Sequence, residues 1–302
     1  MRITAEHVDH YREHGYVAIP GFVDEPTLAQ VRCEIALYAP EADELESAPR
    51  RYVPLLREPG LLQWDFPFTG ETLNGISVDD ELLGFVEQML GVDDVILMQS
   101  ILWAKYGGTS NFDQELHVDY DENTLVYPRG DAGFDQILML IYYSDITPDM
   151  GPTYIVPWEN GVPSVPDDGF WPPYRSRDAY ADLYEREQPL HAEAGTLMMM
   201  SIRTFHRGSA IRASSGARFT HHLGFCSASN PWMGRYRQWP HFGTEPSMRS
   251  FLVNATTRQR TAIGFPPPGH PYWNSDTLTG VAERYPGIDL SEYADAGVAA
   301  AT

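Results

Sequence analysis

Short apolar runs separated by turns constrain the fold of this chain more than any other feature of its sequence. The five clearest lie at 95–103, 137–143, 154–156, 197–200 and 218–225. Runs of a few residues are typical of buried or half-buried β-strands, because an amphipathic helix shows its period only over about ten residues or more. The pattern predicts a mainly β fold, either a β-sandwich or a barrel.

Helical patterns are concentrated before these runs. The first predicted helix follows Thr4, a favourable N-cap residue, and the second follows Asp24 with Pro26 in its first turn. Residues 17–19 predict a short strand between the two helices. Dense strands preceded by helices indicate a β core with a helical flank.

The balance of charge excludes two classes of partner. The 302 residues include 42 acidic and 21 basic side chains, which gives a formal net charge of -21. Such a surface repels phosphate backbones and anionic membrane faces, so we expect neither nucleic acid nor membrane as a partner. Two cysteines, Cys33 and Cys226, do not make a disulfide framework. With no apolar leader and no run long enough to span a bilayer, the expected location is the cytoplasm.

Two His-x-Asp pairs occur, and their local structure separates them. In a strand, residues i and i+2 point to the same side and can reach one metal ion, whereas in a helix they lie about 200° apart. His7 and Asp9 fall in the first predicted helix and therefore diverge. His117 and Asp119 lie among strands and turns, where such a pair can chelate a metal.

A third metal ligand follows a later apolar run. His206 ends the segment that contains the run at 197–200, and two histidines with one carboxylate make the facial triad of non-haem iron sites. Arg218 lies twelve residues further on and opens the next strand, and a guanidinium binds a carboxylate bidentately. We expect a hairpin that places His206 and Arg218 on one face.

These segments together resemble a known family. The chain is similar along nearly its whole length to the phytanoyl-CoA dioxygenase family of iron(II)/2-oxoglutarate-dependent oxygenases, in segments at 14–22, 117–120, 149–157 and 206–209 and at Arg218.

The chain departs from the family pattern at two places. The mid-barrel proline of the family is followed by Gly-Ser-His, and here residues 158–160 are Trp-Glu-Asn. Arg207 stands between His206 and the Gly-Ser pair, and the interval to Arg218 is twelve residues, where the family has eleven. A one-residue insertion explains both shifts and leaves Arg212 as an alternative to Arg218 for binding the keto acid.

The resemblance implies the architecture. The expected core is a double-stranded β-helix, a jelly-roll of the cupin-like kind, within one oxygenase domain that spans residues 1–302. A helical N-terminal flank would cover about 1–90, the β core about 91–230 and a C-terminal extension about 231–302.

The resemblance also implies the site and the reaction. The implied Fe(II) ligands are His117, Asp119 and His206. The implied contacts of 2-oxoglutarate, the co-substrate used with O2, are Arg218, Ser209 and Gln99. A small-molecule substrate would be oxidised while 2-oxoglutarate is decarboxylated to succinate. Because the family's halogenating relatives have a small residue at the position of Asp119, hydroxylation is expected over halogenation.

Two other functions stay open at this point. The same ligand set could hold zinc for metal-assisted hydrolysis, which would need neither Arg218 nor succinate. A non-catalytic protein on the same fold would bind a metal or a keto acid without turnover. The sequence carries no signal for the oligomeric state.

Further residues are expected around the pocket. The aromatic loop at 157–178 is expected to act as a lid over a bulky, largely apolar substrate, and Tyr120 to line the pocket. The acidic surface disfavours a substrate linked to coenzyme A or to a carrier. One of His221 and His222 should face inward with Arg218, and a hydrogen-bonded core histidine is the plain alternative.

Overall fold

The computed structural model describes residues 2–56, 61–109, 112–119, 135–166, 174–229 and 246–263, and part of 265–294. Tyr120 and the middle of the expected lid, 167–173, lie outside the described residues. No helix in the described ranges is both long enough and apolar enough to cross a bilayer.

The N-terminal part is mostly helical, and its caps form as predicted. Thr4 makes a capping box with His7 at the start of the first helix, and the Asp24 side chain accepts from the Thr27 N–H at the start of the second. The elements in this part are α1 (Ala5–His14), β1 (Tyr16–Ile19), α2 (Glu25–Ile35), α3 (Ala42–Ser47), α4 (Pro49–Tyr52), a 3-10 turn (Val53–Leu55), β2 (Leu61–Asp65), α5 (Glu71–Ser77) and α6 (Asp80–Leu90).

The remaining described residues are mostly β. The five apolar runs correspond to β3, β5, β6, β9 and β11, so these strand predictions are confirmed. The elements are β3 (Val95–Tyr106), β4 (Leu116–His117), β5 (Gln136–Tyr142), β6 (Thr153–Ile155), β7 (Tyr174–Arg175), α7 (Ala181–Glu185), β8 (Gln188–Leu190), β9 (Leu197–Ser201), β10 (His206–Gly208), β11 (Ala217–Ser227), α8 (Pro246–Asn254) and α9 (Thr257–Ala262).

The strands form two antiparallel sheets packed face to face. The large sheet has the order β1-β9-β5-β11-β3-β2, and the small sheet has the order β7-β4-β10-β6-β8. The Tyr142 hydroxyl of the large sheet donates to Thr153 Oγ1 of the small sheet at 3.1 Å. This is the predicted jelly-roll. Both edge strands of the large sheet, β1 and β2, come from the flank that was expected to be mainly helical.

Alternation along β11 gives the large sheet two different faces. Phe219, Leu223 and Phe225 belong to the large core shared with the helices. The opposite face looks into the sandwich, where Leu140 and Met198 pack against Ile155 of the small sheet. The helices therefore cover one side of the large sheet, and its other side forms the wall of an interior chamber.

His221 and His222 fall on opposite faces, as the alternation predicts. His221 lies on the helix side, where its ring nitrogens contact the hydroxyls of Ser100 at 2.8 Å and Tyr143 at 2.9 Å. His222 shares the interior face with Arg218, because both are even-numbered positions of one regular stretch of β11.

Candidate metal centre

The structure brings the three predicted metal ligands together. His117 and His206 are Cα partners in the pairing of β4 with β10, and Asp119 follows β4 directly. Asp119 Oδ1 is 3.4 Å from His117 Nε2, and Asp119 Oδ2 is 3.8 Å from His206 Nε2. One ligand atom from each residue lies within 4.8 Å of the others. Two imidazole nitrogens and a carboxylate oxygen this close to one another are the donor set of a shared metal ion.

Backbone carbonyls orient both imidazoles for metal binding. His117 Nδ1 is 2.8 Å from Glu115 O, and His206 Nδ1 is 3.0 Å from Thr204 O. A carbonyl only accepts hydrogen bonds, so each Nδ1 must carry the proton. In a neutral imidazole this leaves the Nε2 lone pair for the metal, and both Nε2 atoms point to Asp119.

Burial prepares the ligands for a cation. Burial lowers the pKa of His206 to about 4, against the opposing charge of Asp119. The imidazole is therefore neutral at physiological pH, which is the form that binds a metal. The side chain of Asp119 is 33% exposed, whereas that of His206 is 9% exposed. The carboxylate therefore lies on the open side of the triad.

Two buried cations lie on the interior face of the large sheet. Arg218 of β11 pairs in register with Lys105 of β3, and the two residues are 3% and 5% exposed. Burial, and then the positive charge of Arg218, lower the pKa of Lys105 to about 7. The Arg218 guanidinium donates to the carbonyl of Gly151, two residues before β6 of the facing sheet.

The chamber wall also holds polar atoms that have no partner among the described residues. These buried atoms are Arg218 Nε, Thr220 Oγ1, His222 Nε2 and Trp103 Nε1. Leaving a buried polar group without a partner costs about 1–3 kcal/mol. A cation pair with unsatisfied donors beside it fits a small dicarboxylate such as 2-oxoglutarate. The His-Asp-His triad fits Fe(II).

His206 and Arg218 do not form the expected hairpin. β10 pairs with β4 and β6 in the small sheet, whereas β11 pairs with β3 and β5 in the large sheet. The chain between them crosses from one sheet to the other, as jelly-roll connections do. The metal ligands and Arg218 therefore belong to facing sheets rather than to one face of one sheet.

The two candidate arginines have different environments. Arg212 is exposed and pairs with Asp113 at 2.5 Å, whereas Arg218 is buried on the chamber wall.

Ser209 and Gln99, the two other predicted contacts of 2-oxoglutarate, lie in different elements. The buried Ser209 hydroxyl donates to Pro152 O at 2.6 Å and lines a cavity of about 420 Å³ together with Arg207. Gln99 lies opposite Gly224 on the face of Lys105, six residues along β3. At a strand rise of about 3.4 Å per residue this is about 20 Å, so Gln99 cannot bind the same carboxylate as Lys105.

Sequence reasoning missed two residues of the site. Lys105 is the only lysine in the chain, a signal that was available in the sequence. Tyr174 of β7 stacks on His117, with ring centroids 5.2 Å apart and an angle of 25° between the planes, and it is 45% exposed. Its place in the aromatic loop at 157–178 was the available signal.

Fold and site together define a non-haem iron(II), 2-oxoglutarate-dependent oxygenase: a jelly-roll whose small sheet holds the His-Asp-His triad and whose large sheet holds a buried cation pair. The sequence profile of the phytanoyl-CoA dioxygenase (PhyH) family matches residues 11–219. The chain belongs to this family, and the predicted resemblance is confirmed. The matched range contains all three predicted ligands and Arg218.

Solved structures share the fold. The epimerase SnoN, in complex with Fe3+, alpha ketoglutarate and nogalamycin RO, has a TM-score of 0.54 and 16% identity over 74% of this chain and 83% of its own. The carbocyclase SnoK from nogalamycin biosynthesis has a TM-score of 0.55 and 18% identity, over 75% and 85%. HygX from Streptomyces hygroscopicus, with nickel, 2-oxoglutarate and hygromycin B bound, has a TM-score of 0.54 and 16% identity over 75% of this chain and 88% of its own. No curated protein matches the sequence.

Proposed function

We propose that this oxygenase hydroxylates, or otherwise oxidises, a small molecule of secondary metabolism. One observation carries the proposal: the triad and the buried cation pair share one chamber. His206 is the register partner of Ile155, and Ile155 packs on the interior face of the large sheet, the face that carries Arg218 and Lys105. A metal site alone does not need the two buried cations. A co-substrate with a metal-chelating end and a free carboxylate needs both the metal site and the cation pair.

The chain's own residues bind and orient the reactants. His117, Asp119 and His206 would hold Fe(II), with the imidazoles fixed by the carbonyls of Glu115 and Thr204. When bound, Fe(II) and 2-oxoglutarate supply the oxidation, in which O2 is reduced and the keto acid is converted to succinate and CO2. Arg218, Lys105 and His206 are buried, so this side of the site is shielded from bulk water.

Lys105 and Arg218 would bind the distal carboxylate of 2-oxoglutarate. Two adjacent buried cations repel each other. Burial and this repulsion together lower the pKa of Lys105. A bound carboxylate would neutralise the pair and accept hydrogen bonds from it. Arg218 is favoured over Arg212, because Arg212 is exposed and already paired with Asp113. Contacts of Ser209 and Gln99 with the keto acid stay predictions.

The presence of Asp119 supports hydroxylation over halogenation. SnoN is an epimerase and SnoK a carbocyclase, so this fold also serves other oxidative outcomes. A small, ring-containing substrate is supported by the nogalamycin and hygromycin B ligands of the neighbours and by the exposed Tyr174 ring beside His117. The net charge of -21 disfavours a coenzyme A or carrier-linked substrate, nucleic acid and membrane surfaces.

We also propose one domain over residues 1–302, in a cytoplasmic setting. A single core joins Ile3 near the N-terminus, Leu223 of the large sheet and Tyr285 near the C-terminus. Cys33 and Cys226 are both free thiols, as a reducing compartment favours.

Anaerobic titration with Fe(II) and 2-oxoglutarate tests the binding half of this proposal. A weak charge-transfer band near about 500 nm is expected, because the keto acid chelates the metal. His117→Ala should abolish the band. His10→Ala, which removes an exposed histidine of α1, is the matched control and should leave it intact. Tight zinc binding without any band in the wild type would support a zinc hydrolase instead.

Succinate formation tests the catalytic half. With a panel of glycosylated and aromatic natural products, the expected result is succinate in step with a product that carries one added oxygen atom. Asp119→Gly should abolish this hydroxylation because it removes the carboxylate ligand. Full turnover in that variant would remove Asp119 from the ligand set, and keto-acid binding without turnover on any substrate would favour a non-catalytic protein.

A further inference from the structure

His222 is a partly buried histidine that the metal site does not use. It lies on the chamber face of β11, four residues from Arg218, with Ile101 and Leu140 as its register partners. Its ring packs against Trp103 with centroids 4.2 Å apart and planes 34° apart. The ring is therefore held in place, with one edge toward the chamber.

The neighbouring residue shows how this chain satisfies a buried histidine. His221 has hydrogen-bond partners on both ring nitrogens, including Ser100 and Tyr143. The Nε2 atom of His222 is buried as well, and it has no partner among the described residues. Because an unpaired buried group is costly, Nε2 indicates a ligand that enters the chamber.

The surroundings of His222 identify which end of that ligand it meets. The charges of Arg218, Lys105 and Asp119 all act on its ring, and burial holds its pKa well below the usual range. Its register partner Leu140 packs with Ile155 of the small sheet, and Ile155 is the register partner of His206. His222 therefore lies across the chamber from a predicted metal ligand. Four residues of strand separate it from Arg218, about 13 Å along the backbone, which places it toward the metal end.

We propose that His222 is a co-substrate-binding residue that donates from Nε2 to the C1 carboxylate of 2-oxoglutarate at the metal. The proposal rests on the proposed function and adds a contact to it. A carboxylate only accepts hydrogen bonds, so the neutral ring must carry its proton on Nε2. Trp103 holds the ring in the required orientation.

Two keto acids separate the ends of the co-substrate. 2-Oxoglutarate has both the chelating end and the distal carboxylate, whereas pyruvate has only the chelating end. Anaerobic titration of the Fe(II) protein with each, followed by the charge-transfer band, gives two dissociation constants per variant. His222→Phe should raise the dissociation constants of both keto acids by about tenfold or more, as expected for a lost hydrogen bond to a charged group. His222→Gln, which keeps a donor, should recover most of the affinity.

Lys105→Met is the matched comparison, because it should weaken the binding of 2-oxoglutarate but not that of pyruvate, which lacks the distal carboxylate. Wild-type affinity for both keto acids in His222→Phe would overturn the proposal, and so would a loss confined to 2-oxoglutarate. His222→Leu provides the same comparison if the Phe variant does not fold, and Mn(II) binding followed by electron paramagnetic resonance verifies the metal site. Absence of a band in the wild type would instead reject the proposed function.

Discussion

Lys105 shows how one buried residue can be tuned for a ligand. It is the single lysine among the 21 lysines and arginines, and it pairs in register with Arg218 on the chamber wall. Loss of hydration destabilises its charged form, and Arg218 repels it, whereas Asp113 acts in the opposite direction. With a pKa of about 7, the amine is only partly protonated near neutral pH. A bound carboxylate would restore its charge.

Binding of 2-oxoglutarate should therefore weaken as the pH rises above 7. The free protein loses the Lys105 proton in that range, so binding at higher pH must include uptake of a proton. Lys105→Met should bind more weakly at pH 6.5 and show a flatter pH profile. Anaerobic titrations at pH 6.5, 7.5 and 8.5 measure both effects, with pyruvate as the ligand that lacks the distal carboxylate. Parallel profiles for the two proteins would contradict the assignment.

The connection from α1 into β1 links the N-terminus to the metal site. Gly15 ends α1 with a φ of 73°, and its carbonyl accepts from Thr204 Oγ1 at 2.7 Å. The carbonyl of Thr204 in turn accepts from the His206 ring. The indole of Trp158, which stands where the family has glycine, lies directly over Gly15. A departure from the family pattern thus packs against a segment that orients a metal ligand.

Gly15→Ala should destabilise the protein more than Gly21→Ala. Both glycines have positive φ, so both substitutions add similar backbone strain, about 1–2 kcal/mol. A Cβ at Gly15 would lie 2.3 Å from the Trp158 ring, whereas a Cβ at Gly21 meets nothing within 4 Å. Overpacking adds about 1–3 kcal/mol, which is several degrees in Tm. Thermal unfolding of the two variants measures the difference, and equal Tm values would exclude the contact.

The strands differ in how well the sequence predicts them. β3, β5 and β9 are long or continuously apolar, and burial on both faces makes them visible as runs. β4 and β10 have two and three residues, too few to show a period. Their existence depends on pairing with strands distant in sequence. The sequence therefore singled out three candidate ligands that the structure brings together, but it did not predict the facing-sheet geometry.

The whole molecule combines a strongly acidic surface with an interior in which burial keeps histidines neutral. Burial lowers the pKa of His206 to about 4 and of His221 to about 3, and it lowers that of His222 well below the usual range. All three imidazoles are therefore neutral in the folded protein at neutral pH, while the unfolded chain protonates them near pH 6.5. Protonation of these three histidines is therefore less favourable in the folded protein than in the unfolded chain.

Stability should consequently fall as the pH drops below about 6.5. Between that pH and the folded-state pKa, the unfolded chain binds more protons, so each such histidine costs about 1.4 kcal/mol per pH unit. His221→Gln keeps a neutral hydrogen-bonding side chain between Ser100 and Tyr143 and removes one titrating group. Its free energy of unfolding should be lower at pH 7 and should decline less steeply toward pH 5. Urea unfolding of both metal-free proteins at pH 7, 6 and 5 measures the two slopes, and identical slopes would show that His221 does not resist protonation.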